Sequence, residues 1–526
     1  EKGNPMQLLK CPWCGTRLSH RDYVVSQPKD RLTVRCADAE CEFGSGLPVH
    51  LTDEDVYRER PSLVIGTVDK FAMMAWREEA ATLFSTDGRH PAPDLIVQDE
   101  LHLISGPLGT LVGLYETAVD AATTRDARPK LIASTATIRR ARSQVRAVFD
   151  RESKQFPPPG LDHGDSYFAR EASPSTKGTR LYLGLLAPGI SHATLLVRTY
   201  AALFQRAKSM QVSDEVRDAY WTLLGYFNSL RVLGGSYMQV IDDVPDRMKL
   251  VARRNDEELR EISEPRELTS RKKSAEIPQE LEILGKPWTS PDAADVVLAT
   301  NMISVGVDVD RLGLMAVMGQ PQTTAEYIQA TSRVGRRYPG LVVVLYNAAR
   351  SRDLSHYENF TNYHRALDRE VEATGATPFA ARARDRGLHG VLVAMARMLV
   401  PGLGESTQAG HAHELLDALE QQIDAVVARA ESVAPEEAAA VRAQLREILG
   451  HWVDAAQEGL LAKYEGWRTS EEVLLVPAGG EGEENMQAQF PVREPAWSTL
   501  TSLRNVDTET QLYVISDRKK GKKSGN

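Results

Sequence analysis

The feature that most limits the fold is a set of short apolar runs, each ending in a small cluster of hydroxyls or carboxylates. Asp94-Leu95-Ile96-Val97-Gln98 ends in Asp99-Glu100-Leu101-His102, and Lys130-Leu131-Ile132-Ala133 ends in Ser134-Thr135-Ala136-Thr137. Asp295-Val296-Val297-Leu298-Ala299 ends in Thr300, and Gly340-Leu341-Val342-Val343-Val344-Leu345-Tyr346 is a further run of core type. Aliphatic runs of strand length, separated by amphipathic helical stretches, predict strands buried in a parallel sheet of an α/β protein. Such sheets place their chemistry at the carboxyl ends of the strands, where these polar clusters fall. Ser62-Leu63-Val64-Ile65-Gly66-Thr67 reads as one more strand, followed by a helix carrying Val68, Phe71, Met74 and Ala75.

All four cysteines of the 526-residue chain lie between positions 11 and 41. Cys11, Cys14, Cys36 and Cys41 form a C-x2-C pair, a 21-residue gap and a C-x4-C pair, which suits tetrahedral thiolate coordination of Zn2+. The runs Tyr23-Val24-Val25 and Leu32-Thr33-Val34 between the pairs supply the strands of a ribbon. Four thiolates leave no open position for substrate, so the predicted role of the metal is structural. No apolar run approaches the roughly 20 residues of a membrane span, and no secretory signal opens the chain. A cytoplasmic protein without a membrane partner is expected, a setting that disfavours disulfides.

The net charge of −9 does not advertise a nucleic-acid binder, but phosphate contacts need only a local positive lane. Basic clusters occur at Arg247–Arg254, Arg271–Lys273, Arg333–Arg337 and Arg518–Lys523. Arg333 and Arg336 lie three apart and share a face if helical. Always-charged guanidinium forks suit phosphates. At the strand ends, Asp99 can hold the water shell of Mg2+ and Glu100 can orient an attacking water. The order along the chain is carboxylates, then hydroxyls, then the loop Thr300 to Asp308, then Gln329, Arg333 and Arg336.

That order resembles the superfamily 2 DExH helicases over about residues 60 to 350. By this resemblance Asp99-Glu100-Leu101-His102 is motif II, and Thr135 and Thr137 belong to motif III, which couples nucleotide state to strand grip. Thr67 resembles motif Ib, Asn228 and Arg231 fall in motif IV, and Thr300 opens motif V; all four are implied nucleic-acid contacts. Gly306, Asp308 and Gln329 are implied nucleotide contacts, with Asp99 and His102. Glu100, Asp99, Arg333 and Arg336 are the implied catalytic set. More narrowly, Thr323–Gln329 with Arg352–Tyr357, Thr377–Phe379, Arg384–Arg386 and Thr501–Asp507 are similar to the DrmA group of helicases of the DISARM antiphage system. This implies ATP and Mg2+ as cofactors, single-stranded or duplex-junction DNA as ligand, and the protein DrmB as partner.

The fold implied is α/β, with two RecA-like parallel-sheet domains (the first incomplete), an N-terminal zinc-ribbon-like module and a C-terminal mainly helical domain. The expected boundaries are 1–56 for the zinc-ribbon-like insertion, 57–175 for the rest of RecA-like domain 1 and 176–350 for RecA-like domain 2. Residues 351–475 follow as a helical accessory domain, and 476–526 as a small C-terminal segment with a basic tail. The histidines and tyrosines at His356, Tyr357, Tyr363, His364 and His389 read as packing or strand-contact residues. Two departures from the family pattern stand out. Ala330 and Ser332 replace an Arg and a Gly of motif VI, and nothing ahead of Asp99 matches the G-x-x-x-x-G-K-[ST] phosphate loop. The expectation is the carboxyl-terminal part of a longer helicase, binding ATP poorly alone. The rival is an ATPase-inactive, zinc-stabilised DNA-binding platform.

Overall fold

The computed structural model describes residues 6–26, 31–86, 88, 90–135, 139–158, 160–162, 164–168, 170–173, 179–272, 276–301, 309–466, 472–478 and 496–504. The chain forms two compact units that alternate along the sequence. Unit 1 comprises Glu1–Asp55, Ala136–Arg139 and Lys154–Ala373, and unit 2 comprises Val56–Thr135, Arg140–Ser153 and Thr374–Asn526.

Strands β1 (Tyr23–Ser26) and β2 (Arg31–Val34) come first, then helix α1 (Asp53–Glu59). Unit 2 contributes β3 (Leu95–Gln98), α2 (Gly106–Thr123), β4 (Lys130–Ala133) and α3 (Ala141–Phe149). Unit 1 resumes with β5 (Arg180–Leu186), α4 (His192–Ser209), α5 (Asp214–Trp221), β6 (Leu223–Phe227) and α6 (Leu230–Asn255). It continues with β7 (Arg266–Leu268), α7 (Ile277–Leu284), β8 (Val296–Ala299), β9 (Leu314–Met318), α8 (Thr324–Thr331), β10 (Gly340–Tyr346), α9 (Ser351–Glu358) and α10 (Phe360–Arg365). Unit 2 closes with α11 (Ala381–Leu399), α12 (Leu416–Val433), α13 (Ala438–Gln457), β11 (Lys463–Glu465), β12 (Val473–Pro477) and β13 (Trp497–Thr499).

Unit 1 is built on a six-stranded sheet in the order β5-β10-β9-β6-β8-β7, parallel at every pairing. Successive side chains of a strand point to opposite faces, and the two cores divide by that parity. Leu224, Tyr226, Val297, Met315, Val317, Val342 and Val344 enter one core with Tyr327 of α8 and Tyr363 of α10. Leu223, Phe227, Val296, Leu298, Leu314, Ala316, Val343 and Leu345 enter the other, against Tyr200 and Phe204 of α4 and Val240 and Val244 of α6. Burial on both faces explains the unbroken apolar runs. One charge between α6 and β7 is buried: Arg260 is 2% exposed, pairs with Asp295 at 2.7 Å and lies over the Trp221 ring.

Unit 2 has a two-stranded parallel sheet, β3 with β4, in register from Leu95↔Lys130 to Gln98↔Ala133. Its helical body packs α2 on α11 and α12 on α13. Gly390 permits the first contact, since a Cβ there would clash with the Tyr115 hydroxyl. Two expectations are corrected. Residues 62–67 form no strand; Leu63 and Ile65 are 76% and 90% exposed, and an apolar run becomes a strand only where a neighbour completes its hydrogen bonds. The strands at 95–98 and 130–133 do form but are not buried, because their faces lack a covering layer among the described residues. No described helix is long and apolar enough to cross a membrane.

Candidate nucleotide and nucleic-acid site

The four cysteines come together in a cluster that could hold a metal ion. The ligand atoms of Cys11, Cys14, Cys36 and Cys41 all lie within 4.8 Å of one another, and the Cys14 and Cys36 sulfurs are 3.4 Å apart. Tetrahedral zinc at ~2.3 Å from each thiolate spaces its sulfurs by a little under 4 Å, so the residues fit the ion. The first knuckle turns at Gly15, whose φ is 77°, and β1 and β2 pair antiparallel between the knuckles. Burial pushes the Cys36 thiol up to about 12, whereas a hydrogen bond with Thr16 pulls Cys14 down to about 6.

In unit 2 the ends of β3 and β4 bring the predicted carboxylate and hydroxyl clusters side by side. Glu100 N donates to Asp99 Oδ1 at 2.9 Å, and Ser134 Oγ donates to the same oxygen. Among the described residues both bonds fall on Oδ1 of this exposed carboxylate. His102 Nδ1 lies 3.1 Å from Thr135 Oγ1 and 3.3 Å from Glu100 Oε2, so motifs II and III are linked through one imidazole. Glu100 has φ 51° and ψ 49°. A left-handed conformation in a non-glycine residue costs on the order of 1 kcal/mol or more and is kept where surroundings impose it. Here Leu101 N donates to Ser134 O at 2.9 Å and closes the turn across the two strands. Thr67 is exposed and caps a 3-10 helix, Val68–Ala75, without a side-chain bond. Thr137 lies outside the described residues.

In unit 1, Asn228 follows β6 and Thr300 follows β8, both at carboxyl ends of sheet strands. Asn228 Nδ2 donates to Gln320 O at 3.0 Å, while its Oδ1 is buried without a partner among the described residues. Thr300 is 7% exposed. Gly306 and Asp308 lie outside the described residues. Arg231, one residue into α6, lines a cleft of about 410 Å³ with Arg350, His192, Ser229 and Gln239. Ser229 and Ser191 cap the N-termini of α6 and α4. Two guanidiniums and two helix N-termini make this cleft suited to an anion.

Gln329 sits half-buried in α8, but the two arginines do not share a helical face. The helix ends at Thr331, and Gly335, at φ 77°, turns the chain so that its N–H reaches Leu312 O at 2.8 Å. Arg333 and Arg336 therefore project from a turn, both half-buried. Arg336 Nη1 lies 3.9 Å from Asp310 Oδ1.

Residues 269–338 match the family model described as helicase conserved C-terminal domain. The chain is 39% identical to DISARM protein DrmA of Bacillus paralicheniformis, over 97% of this chain and 49% of that protein. The chain is a homologue of DISARM protein DrmA and carries a helicase conserved C-terminal domain. It spans about half the length of that relative. Among solved structures it is similar to the DUF1998 helicase MrfA bound to DNA and AMPPNP, with 14% identity, TM-score 0.47, and 70% of this chain and 45% of that one covered. It is also similar to the Mycobacterium smegmatis helicase Lhr bound to ssDNA and AMP-PNP, with 16% identity, TM-score 0.41 and coverage of 78% and 43%. At that level of similarity no residue's role passes from those proteins to the DrmA homologue.

Several contributors to the site of this DrmA homologue escape a reading of its sequence. Arg180 donates to Val334 O at 2.8 Å and to Ser332 O at 3.3 Å, clamping the carbonyls on either side of Arg333. Gln144 donates to Leu101 O at 3.2 Å and Ile104 O at 2.6 Å, holding the turn after Glu100. Neither has a nearby motif to flag it, since both partners are remote in sequence.

Proposed function

We propose that the chain serves in an ATP-driven DNA helicase or translocase of bacterial antiphage defence, acting with a DrmB-type partner. The observation that carries the hydrolytic reading is the cluster of Asp99, Glu100, His102, Ser134 and Thr135 at the ends of parallel β3 and β4. A magnesium nucleotide, when bound, supplies the phosphoanhydride bond that is broken. Asp99, whose carboxylate is fixed by Ser134 and the Glu100 amide, would hold the cation's water shell. Glu100 orients the attacking water and is itself oriented by His102. Arg333 and Arg336 stabilise negative charge on the transferring phosphoryl group, and Gln329 senses nucleotide. On the nucleic-acid side, Arg231, Arg350 and the N-termini of α4 and α6 favour a phosphate of the backbone. The cysteine module serves as a zinc-stabilised scaffold.

The test is ATP hydrolysis by the intact protein, with and without single-stranded DNA. DNA-stimulated turnover that falls ~10³-fold or more in Arg336→Ala, and is lost in Glu100→Gln with DNA binding retained, is the expected result. A folded, zinc-loaded intact protein that binds DNA but hydrolyses no ATP would replace this reading with the platform.

A further inference from the structure

Helix α8 delivers Arg333 and Arg336, and its first turn is held by a carboxylate some fifty positions away in the chain. The Thr324 amide donates to both Glu372 oxygens at 2.9 Å each, and Thr324 Oγ1 donates to Oε1 at 3.1 Å. The first amides of a helix lack intrahelical acceptors, and a negative charge there opposes the positive end of the helix dipole. The donors behind Glu372 form a continuous relay. Gln320 Nε2 donates to the Tyr363 hydroxyl at 3.1 Å, and that hydroxyl donates to Thr324 Oγ1 at 3.0 Å. Gln320 and Thr324 are buried, so the relay is shielded from water. Further along α8, His364 Nδ1 faces the Phe360 carbonyl at 2.8 Å and must donate to it. Its Nε2 then accepts from the Tyr327 hydroxyl at 2.9 Å.

Glu372 belongs to a strap whose two halves are anchored separately. In unit 1, Ala373 bridges Arg139 and the Arg369 carbonyl accepts from Arg139 Nη1 at 3.3 Å. In unit 2, Thr374 Oγ1 donates to Gln144 Oε1 at 3.0 Å, and Gly106 N donates to Gly375 O at 2.8 Å. Gln144 is the residue that holds the turn after Glu100.

We infer that Glu372 is a positioning residue for nucleotide hydrolysis, seating α8 so that Arg333 and Arg336 meet the phosphoryl group. The inference rests on the hydrolytic reading above. Neither the sequence motifs nor the family resemblance assigns this carboxylate a role.

The experiment compares steady-state ATP hydrolysis by the intact protein, at saturating single-stranded DNA, for wild type, Arg336→Ala, Glu372→Ala and Glu372→Gln, with melting temperatures alongside. Glu372→Ala is expected to lower kcat about tenfold, the scale of a lost helix cap, with KM for ATP nearly unchanged. Glu372→Gln keeps an acceptor oxygen without the charge and is expected to recover part of kcat. A lowered melting temperature with unchanged kcat per folded molecule would mean a merely structural cap and would overturn the inference. Should Glu372→Ala not fold, Glu372→Gln decides in the same way: a reduced kcat supports the role and an unchanged one removes it. Full turnover in Arg336→Ala overturns the hydrolytic reading together with this one. A dead Arg336→Ala beside a normal Glu372→Ala overturns this one alone.

Discussion

Two glutamates show how placement sets the chemistry of one residue type. Glu100 stands at a strand end, its backbone held left-handed and its carboxylate beside an imidazole, which suits it to steer a water. Glu116 lies in the buried face of α2, 6% exposed, and loss of solvent raises its carboxyl to about 7. Arg429, Arg151 and Arg128 pull it back down and Asp120 adds to the rise, but desolvation dominates. A folded pKa above the unfolded one means that the native state holds the proton longer. Glu116 therefore contributes its full stability below about pH 4.5 and loses it as pH rises through about 7. At 1.36 kcal/mol per unit the loss reaches roughly 3 kcal/mol. Glu116→Gln, neutral throughout, is expected to melt higher than wild type at pH 8 and to match it near pH 4.5. A variant that melts lower at pH 8 would mean that the ionised carboxylate is stabilised by its arginines after all.

Among the elements, the cysteine module depends most on something other than its own core. Among the described residues Leu18, Val34 and Leu47 join Cys11 and Cys36 as buried hydrophobics there, with Tyr23, Phe43 and others only partly buried around them, a small core for a domain without a staple. A structural zinc site contributes its binding free energy to folding. Stripping the metal with a strong chelator at neutral pH is expected to open residues 6–52 to proteases while the six-stranded sheet stays protected. Cys36→Ser is expected to do the same without chelator. A module that stays protease-resistant with its metal gone would be standing on packing alone. The turn after α8 shows the opposite case, an element stabilised by close backbone contact: a Cβ on Gly335 would sit 2.9 Å from Gly340 N.

At the scale of the molecule the two units are unequally finished. In unit 1 the strands β6, β8, β9 and β10 are covered on both faces and only the edge strand β5 leaves Leu181 and Leu183 exposed, whereas β3 and β4 of unit 2 leave Leu95, Val97 and Ile132 about half exposed or more. Val97 pairs directly with Ile132, so these three share one face. A two-stranded parallel sheet with an open apolar face is not a stable unit in water, and apolar surface of this kind marks a place where other protein belongs. This chain, which spans about half of its DISARM relative, is expected to bind a dye such as ANS when expressed by itself. Val97→Lys, placed on the same face, is expected to reduce the signal. No dye binding by the folded chain would mean that the face is covered in solution.

Much of this was legible from the chain alone, because it depends on local chemistry. The strand runs at 296–299 and 340–346 carry apolar side chains on both faces, which only a doubly covered parallel sheet can bury. The cysteines are identified by spacing, and the carboxylate and hydroxyl clusters by standing at strand ends. Burial and partnership were not legible, since they depend on what lies across space. The same kind of apolar run is core in β8, exposed in β3 and no strand at all at 62–67. Arg333 and Arg336 would have shared a helical face had Gly335 not turned the chain after Thr331. Nothing in the chain alone singles out Glu372, which stays exposed while folding sets it against the first amide of α8. Periodicity and spacing report which groups a segment offers; only the tertiary structure brings each charge to the partner that gives it a function.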